Sequence, residues 1–583
     1  MIPTLVEALE RARGAEEAGL RLLDRHEEPS WKSWGEVYDG AMGTAGGLAS
    51  LGVRPGDRVA LVFPTCWGFF DAFFGALLAG AVPVPLYPPV RLGRLDEYHR
   101  ATGRMIEAAG ARLVVCDRRV ERLLGESVRR GRPALGCRSL ERIPRHDGVE
   151  AARPRLDDLA LVQFSSGTTV DPKPVALDHR AVMSQVVSLN SFWPDEDDTR
   201  HSGVSWLPLY HDMGLIGCVF AALERPAVLT LIPPELFVAR PAVWLRAIGR
   251  YRATVSPAPN FAYGLCVEKI RDEELDGVEL GSWRVALNGA ETVSPRVMRE
   301  FCQRFSAWGF RRRAMTPVYG LSEAALAVTF SSPGSEFQVR RLRADRLGAG
   351  DRVEPDPGGI EIASVGRPLP GGEIEIRRAD GTAAPEGEVG RLWVRGPSLM
   401  QGYLGRLEET ARVLVDGWLD TGDLGFLLDG ELHLAGRAKE IVIVRGRNYA
   451  PEHLERAADR LPGVRRGCVV AVSTPVDAGT ERVLLFVERD RRATDEEIAS
   501  VPERIRERVL AATGLAPDEI HLLEPGTLPR TSSGKLRRGE TLERHLAGSL
   551  AAPEGVGPVF LLRQLVKSRL AFWRGALAGG RDA

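Results

Sequence analysis

The stretch that decides the fold runs from Leu159 to Arg180 and reads LALVQFSSGTTVDPKPVALDHR. It begins with a short apolar run that is typical of a buried strand. It leads into HRAVMSQVVSLNSFW, which predicts a helix capped by Asp178. A strand, a loop of small residues and a helix together form the geometry in which backbone N–H groups and a helix N-terminus meet a phosphate group.

The side chains of this loop add donors to those of its backbone. Around the central Gly167 lie four hydroxyl groups and one mobile cation, which belong to Ser165, Ser166, Thr168, Thr169 and Lys173. The loop is not a Walker loop, because no Gly-Lys-Ser/Thr stands in the required frame. Turns rich in serine and threonine are common, so the loop alone does not separate a phosphate site from an ordinary turn.

Apolar runs alternate with helical stretches on both sides of the loop. DRVALVFP, AVPVPLY and ARLVVC read as strands and FFDAFFGALLAG reads as a helix, a rhythm that continues to about residue 330. It predicts largely parallel sheets covered by helices. From about residue 365 to 435, pieces such as GRLWVRG and GELHLAG alternate with glycine turns, which predicts a small antiparallel barrel or sheet.

The C-terminal part of the chain predicts a separate small domain, a linker and a last helix. CVVAVSTP, ERVLLFVE and EEIASVPERIRERVLAATG are two strands and a helix, and AAPEGVGP is the linker. The stretch VFLLRQLVKSRLAFWRGAL then predicts an amphipathic helix whose only charges are basic. That helix either docks on its own protein or makes a peripheral contact with an acidic partner or an anionic lipid surface.

Composition limits the classes of protein to which the chain can belong. A chain of 583 residues is too long to fold around one hydrophobic core, so several subdomains are expected. The net charge of −1 gives no global sign of nucleic-acid or membrane binding. The seven cysteines lack Cys-x-x-Cys spacing, so neither a zinc site nor a disulfide framework is predicted and a reducing cytoplasm fits best. The most apolar run, WGFFDAFFGALLAGAVPVPLYPP, is interrupted by Asp71, which predicts a buried helix and strand and no transmembrane segment.

Lysine is rare in this chain. Of 77 basic residues only six are lysines, which leaves 71 arginines. A lysine can therefore mark a place where a compact ammonium group on a flexible stem is needed and a guanidinium fork would not fit.

Five further stretches turn the loop into a specific signal. They are NGAETV from Asn288, YGLSEA from Tyr319, DTGDLG from Asp420, GRAKEIVIVRGRNYAPEHLE from Gly436 and LPRTSSGKLRR from Leu528. In order and spacing they resemble the adenylate-forming enzymes, which include acyl-CoA ligases, luciferases and peptide-synthetase adenylation domains. The resemblance extends to about residue 545, and three of the six lysines lie in the matching stretches.

The resemblance implies an α/β fold of two domains. A large N-terminal adenylating domain, residues 1–435, would contain two helix-covered sheets and a small β-barrel, with an insertion at about 329–364. A smaller, mobile α+β domain, residues 436–550, would carry the hinge at Lys439, and residues 551–583 would be the linker and basic helix.

The resemblance also implies ATP and magnesium at named residues. A carboxylate must attack the α-phosphate of ATP against like charge, so charge neutralisation and positioning carry the catalysis. Lys535 would bridge the two groups, Glu323 and Thr168 would hold magnesium, and Tyr319 would stack on adenine. Asp423, helped by Arg437, would hold the ribose. The full nucleotide set is Ser165, Ser166, Gly167, Thr168, Thr169, Lys173, Asn288, Gly289, Ala290, Glu291, Tyr319, Gly320, Leu321, Ser322, Asp423 and Arg437.

Other stretches resemble one branch, the fatty acyl-AMP ligases. WLPLYHDMGLIG from Trp206 would set His211 near the substrate carboxylate, and Met213, Ile216 and Phe261 would line an acyl pocket. The side chains of neighbours such as His211 and Asp212 are expected to diverge, so we predict that His211 positions the substrate and does no acid–base work. The insertion would restrain the domains and disfavour coenzyme A as acceptor; otherwise it is a surface loop.

The expected function is ATP-dependent activation of a medium- to long-chain fatty acid to acyl-AMP with release of pyrophosphate. The acyl group would then pass to the phosphopantetheine thiol of an acyl carrier protein for lipid or polyketide biosynthesis. One alternative is a long-chain acyl-CoA ligase. Another is an inactive adenylate-binding scaffold, suggested by Val170 and Pro174 where the family has glycine. Lys535, Glu323, Asp423 and Arg437 argue against a scaffold, so we predict a stiffer loop with altered pyrophosphate handling.

Overall fold

A computed structural model describes most of the chain. The described residues are 2–89, 92–146, 148–165, 172–192, 201–444, 447–477, 480–531, 534–553 and 566–571. The predictions for Ser166, Gly167, Thr168 and Thr169, for Val170, and for most of the C-terminal helix lie outside these ranges.

The largest sheet within these ranges has nine strands, and its centre is parallel. In spatial order the strands are Arg367–Pro368, Ala327–Phe330, Met315–Gly320, Val285–Gly289, Val255–Pro259, Ser202–Ser205, Val228–Leu231, Gly19–Leu23 and Pro29–Ser33. The six strands from Met315–Gly320 to Gly19–Leu23 pair in parallel, and the outer pairings are antiparallel. Helices cover this sheet, as the alternating pattern predicts.

A second described sheet is entirely parallel and a third is a hairpin with one added strand. The parallel sheet contains Val82–Leu86, Arg58–Val62, Leu113–Cys116 and Cys137–Ser139. The third contains Gly402–Tyr403, Pro174–Asp178 and Leu159–Phe164, all antiparallel. Between them the two parallel sheets and their helices confirm the predicted α/β class.

The hairpin corrects the prediction that the hydroxyl loop leads directly into a helix. Strand Pro174–Asp178 follows the loop, and the helix His179–Ser191 begins only at the far end of that strand. Asp178 does cap the helix, accepting from Ala181 N at 2.7 Å. Five extended residues span about 17 Å, so the helix N-terminus does not face the loop. The apolar run Val175–Leu177 is buried between neighbouring strands, and this burial favours the extended form.

An antiparallel sheet follows at residues 373–437, as the glycine-separated pieces predict. Its strands are Glu373–Arg377, Gly390–Arg395, Trp418–Leu428, Leu414–Val415 and Glu431–Arg437. The predicted insertion contributes a hairpin of Val339–Leu342 and Ile360–Ala363. The remaining part is α+β, with strands Val442–Val444, Arg447–Tyr449, Val464–Asp477, Thr480–Arg489 and Glu519–Leu523. Its separation as a mobile domain at residue 436 stays a prediction.

Most of the described helices are short and lie between strands. The α-helices are Leu5–Ala12, Trp34–Ser50, Trp67–Leu78, Leu95–Ala108, Arg118–Glu121, Gly125–Gly131, His179–Ser191, Asp212–Gly214, Ala221–Glu224, Pro234–Ala239, Ala242–Arg250, Asn260–Lys269, Pro295–Phe305, Leu407–Val413, Pro451–Ala458, Asp495–Thr513 and Arg538–Leu546. A π-helix spans Leu215–Phe220, and 3₁₀ turns span Leu92–Arg94, Leu140–Arg142, Asp272–Leu275, Ser306–Trp308, Arg312–Ala314 and Ser322–Ala324. No helix in the described ranges has both the length and the apolar character that a membrane crossing requires.

The described piece of the last helix, residues 566–571, docks on the large part of the chain. Lys567 Nζ lies 2.7 Å from Asp96 Oδ1, and the N–H of Gly125 donates to Ser568 Oγ at 2.9 Å. Ser568 and Ala571 are buried by this contact. These contacts favour docking on the protein itself over a free surface for lipid.

Candidate active site

A cleft of about 1790 Å³ separates the large sheets from the small α+β part. Its walls bring together stretches that are hundreds of residues apart in the sequence. The predicted residues that line it are Ser165, Lys173, His211, Met213, Phe261, Ala290, Glu291, Tyr319, Gly320, Leu321, Ser322, Glu323, Asp423, Arg437, Lys439 and Lys535. Asn288, Gly289 and Ile216 are buried and do not line it.

An acidic group lies at the centre of one wall. Asp423 accepts from Tyr319 Oη at 2.6 Å, and its other oxygen lies 3.1 Å from Arg437 Nε. Asp423 and Arg437 are paired neighbours on adjacent antiparallel strands, so the sheet register fixes their contact. Burial raises the pKa of Asp423, and Arg437 and the Tyr319 hydroxyl oppose that rise. A carboxylate held in this way is an acceptor for hydroxyl groups such as those of a ribose.

Glu323 lies on another wall and is held by a tyrosine that the motifs did not include. Tyr403 Oη donates to Glu323 Oε1 at 2.9 Å, and Met400 N donates to the Glu323 carbonyl at 2.9 Å. Burial raises the pKa of Glu323. A divalent cation would favour the ionised form of such a carboxylate. A single carboxylate combined with substrate phosphates is a usual environment for magnesium.

Lys173 and Ser165 lie at the two ends of the hydroxyl loop, close to Glu323. The Ser165 N–H donates to the Lys173 carbonyl at 3.0 Å, which closes the hairpin across the loop. The Lys173 ammonium lies 3.2 Å from Glu409 Oε2 and 4.4 Å from the centre of the Tyr403 ring. The only described cation of this loop therefore has a carboxylate and an aromatic face as neighbours.

The side chains of His211 and Asp212 do not diverge, so that prediction is wrong. His211 Nδ1 lies 2.6 Å from Asp212 Oδ1, and Ser322 Oγ donates to the other carboxylate oxygen. His211 has extended backbone angles and occupies the N-cap position of the short helix Asp212–Gly214, and this change of direction brings both side chains to one side. Burial opposes ionisation, but His211, Ser322 and the Met213 N–H lower the pKa of Asp212 to about 2. Asp212 thereby orients the imidazole in the cleft.

Lys535 reaches the cleft from the small α+β part. A tight turn presents it: Thr531 N donates to the Lys535 carbonyl at 2.8 Å, and Lys535 N donates to Thr531 Oγ1 at 3.0 Å. Burial lowers the pKa of Lys535, while the charges of Glu291 and Asp212 oppose that change. Glu291 itself accepts from Phe261 N at 2.6 Å. The lysine is thus surrounded by groups of the large part of the chain.

The stretch NGAE forms a close-packed corner beneath the cleft. A Cβ on Gly289 would lie 2.5 Å from Val318 Cγ2, so a larger residue would push the neighbouring strand away. Ala290 follows with a φ of +62°, a left-handed conformation that costs free energy in a residue other than glycine and is typical of functional sites. The corner turns the chain from the buried strand into the cleft.

Of the three residues predicted for an acyl pocket, two line the cleft and one does not. Met213 and Phe261 line the cleft, and Phe261 lies edge-on to Trp206 with ring centres 5.8 Å apart. Ile216 is fully buried in the main core. The acyl-pocket assignment stays a prediction.

Sequence reasoning missed two residues of the site, Tyr403 and Glu409, and it missed the orienting role of Asp212. Tyr403 and Glu409 stand in QGYLGRLEET, which carries no pattern of its own. Asp212 could have been found from the His-Asp pair, because a helix start between two neighbours is enough to align their side chains.

Comparisons with known proteins agree with this geometry. The AMP-binding enzyme family matches residues 11–404. A Caulobacter vibrioides protein that carries the name of an acyl-CoA synthetase is 35% identical over 94% of this chain and 96% of its own. A long-chain-fatty-acid–AMP ligase of Mycobacterium marinum is 32% identical over 88% of this chain and 91% of its own.

A structure solved in a study of fatty acyl-adenylate ligases from E. coli and L. pneumophila superposes with a TM-score of 0.87. It is 33% identical and covers 94% of this chain and 98% of its own. The family match, the relatives and the shared architecture lead to one conclusion: this chain belongs to the AMP-binding enzymes.

Proposed function

We propose that this protein activates a fatty acid with ATP, forming acyl-AMP and pyrophosphate, and then passes the acyl group to the phosphopantetheine thiol of an acyl carrier protein. One observation carries the proposal: Lys535 from the small part meets the Asp423, Glu323 and His211 walls in a single cleft. The relatives named for fatty acyl-AMP formation supply the substrate class.

The residues of the cleft fit the parts of an adenylation reaction. Asp423 suits the ribose, Lys173 suits the outer phosphates, and Lys535 suits the α-phosphate and the attacking carboxylate. Asp423 is buried, and a buried charge acts more strongly than the same charge in solution. Glu323 would hold magnesium, which would supply Lewis-acid charge when bound. No group of three or more potential metal ligands exists among the described residues.

The insertion supports the choice of a carrier protein as acceptor, because it is fastened to the molecule. Gly350 N and Val353 N donate to the carbonyls of Val389 and Gly387, each at 2.8 Å. Leu342, Leu347 and Ile362 pack in one apolar cluster with the antiparallel sheet, and Ala438 and Ile441 lie against the same cluster. Those last two residues flank Lys439. These contacts support a role of the insertion in restraining movement at the proposed hinge.

Replacing Leu347 with alanine is expected to raise the ratio of acyl-CoA to acyl-carrier product. Leu347 is 2% exposed, so its truncation removes about 2–5 kcal/mol of packing and loosens the insertion. The measurement is mass spectrometry of products with coenzyme A and a holo carrier protein competing. Leu407→Ala, at a side chain 85% exposed, is the control. A ratio that stays at the parent value while stability falls would contradict a restraining role.

The proposal as a whole is tested by pyrophosphate release. Purified protein with ATP, magnesium and a series of fatty acids of increasing chain length should release pyrophosphate and accumulate acyl-AMP. Addition of a holo carrier protein should convert the acyl-AMP to acyl thioester. No pyrophosphate with any acid would favour a binding scaffold.

A long-chain acyl-CoA ligase is the second candidate, favoured by the name of the Caulobacter relative. Both candidates share the adenylation step and differ only in the thiol. Abundant acyl-CoA from free coenzyme A in the competition experiment would select this candidate.

A further inference from the structure

One segment, residues 402–413, contacts both Lys173 and Glu323 on the phosphate side of the cleft. Its strand Gly402–Tyr403 pairs with Pro174–Asp178, and Leu404 N donates to the Pro174 carbonyl at 2.8 Å. The segment therefore runs directly beside Lys173. It then forms the helix Leu407–Val413, which carries Glu409.

The contact between Glu409 and Lys173 is built into this segment. Glu409 lies 3.2 Å from the Lys173 ammonium and also accepts from Arg406 Nη1 at 3.2 Å. Thr410 Oγ1 accepts from Tyr403 N and donates to the Arg406 carbonyl, both at 2.9 Å, which fixes the turn before the helix. Burial opposes ionisation, but Lys173 and Arg406 lower the pKa of Glu409, so it is a carboxylate near neutral pH.

The Tyr403 ring links this pair to Glu323. The Lys173 ammonium lies over the ring, while the hydroxyl of the same ring donates to Glu323. An ammonium that leaves Glu409 would still have the aromatic face beneath it and could turn toward a phosphate near Glu323. Lys173 could therefore exchange the Glu409 carboxylate for a phosphate while it keeps its contact with the Tyr403 ring.

We propose that Glu409 is the resident counter-ion of Lys173, a carboxylate that a polyphosphate must displace before the ammonium can bind it. The inference rests on the proposed function, which makes the triphosphate of ATP and the pyrophosphate product the competing anions. Because the carboxylate competes with the product as well as with ATP, it weakens the hold on the product and speeds its release.

Glu409→Gln should bind pyrophosphate more tightly than the parent protein. We expect a gain of about three- to fivefold in affinity, the range for loss of a partly exposed ion pair. The measurement is calorimetric titration of the full chain with inorganic pyrophosphate without magnesium, at low salt. Glu408→Gln is the matched control, because Glu408 precedes Glu409 in the same helix and its side chain is 90% exposed. Equal thermal unfolding of the variants would show that the fold is intact.

A double-mutant cycle separates Lys173 from Arg406, which the same substitution releases. In a Lys173→Gln background the Glu409→Gln change should no longer raise pyrophosphate affinity. A gain that persists there would assign the effect to Arg406 and overturn the inference. Unchanged affinity in Glu409→Gln, with fatty-acid-dependent pyrophosphate release intact, would overturn the inference alone. A protein that binds neither ATP nor pyrophosphate would overturn the proposed function as well.

Discussion

Replacement of Lys535 by glutamine is expected to lower the rate of acyl-AMP formation about 10²–10³-fold, because one preorganised donor aimed at developing charge is worth about 3–4 kcal/mol. The turn from Thr531 fixes the backbone of Lys535, and the residue lines the cleft. Glutamine keeps a similar length and removes the charge. The rate is measured as pyrophosphate release with saturating ATP and fatty acid.

The second half-reaction provides the internal comparison. Thioester formation from supplied acyl-AMP needs no new bond at the α-phosphate, so Lys535→Gln should leave it near the parent rate. Lys269→Gln, an exposed lysine at a helix end, is the control for a simple loss of charge. Equal loss of both half-reactions would indicate a damaged fold and would count against the assigned role.

The same lysine should set the alkaline limit of adenylation. Burial lowers the pKa of Lys535, so its ammonium is lost as pH rises through a value below that of an ordinary lysine. Lys535→Arg stays charged over that range and should lose this alkaline limb even if its overall rate is low. The measurement is the pH profile of pyrophosphate release for the parent protein and for Lys535→Arg.

Local patterns in the sequence were sufficient for most elements. The runs at Arg58–Val62 and Trp67–Leu78 form the predicted strand and helix because both are nearly continuous apolar runs of a suitable length. The order of the nine-stranded sheet could not be predicted in this way. It places Gly19–Leu23 beside Val228–Leu231, a pairing set by packing of the whole chain. The short strand after the hydroxyl loop was hidden for a similar reason, since three apolar residues fit a strand or a loop equally well.

The sequence motifs were sufficient to predict many of the residues that line the cleft, but they were not sufficient to predict which of these residues contact one another. Asp423 and Arg437 were both named from sequence, yet their pairing depends on the register of two strands. Tyr403 lies 80 residues from Glu323, and no spacing rule connects them. The prediction for His211 and Asp212 failed for a different reason. Side chains of neighbouring residues diverge along an extended chain, but a helix begins between these two residues.

Asp423→Asn is expected to weaken ATP binding about 10- to 100-fold, since a charged hydrogen-bond acceptor is worth about 1.5–3 kcal/mol. Asparagine keeps the shape but places an amide donor against Tyr319 Oη or Arg437 Nε, which both face this side chain as donors. The guanidinium would then lack its carboxylate in a partly buried place. Affinity is measured by calorimetric titration with ATP.

A split between the two substrates makes this prediction specific to the ribose. The apparent KM for ATP should rise far more than the apparent KM for the fatty acid, because Asp423 belongs to the nucleotide wall. Asp429→Asn is the control, since Asp429 follows the same strand and its side chain is 78% exposed. An equal rise in the apparent KM for both substrates would show that Asp423 supports the whole cleft and has no specific role in the nucleotide site. A rise for ATP alone, together with normal binding of pyrophosphate at Lys173, would separate the ribose contact from the phosphate contacts along the length of the cleft.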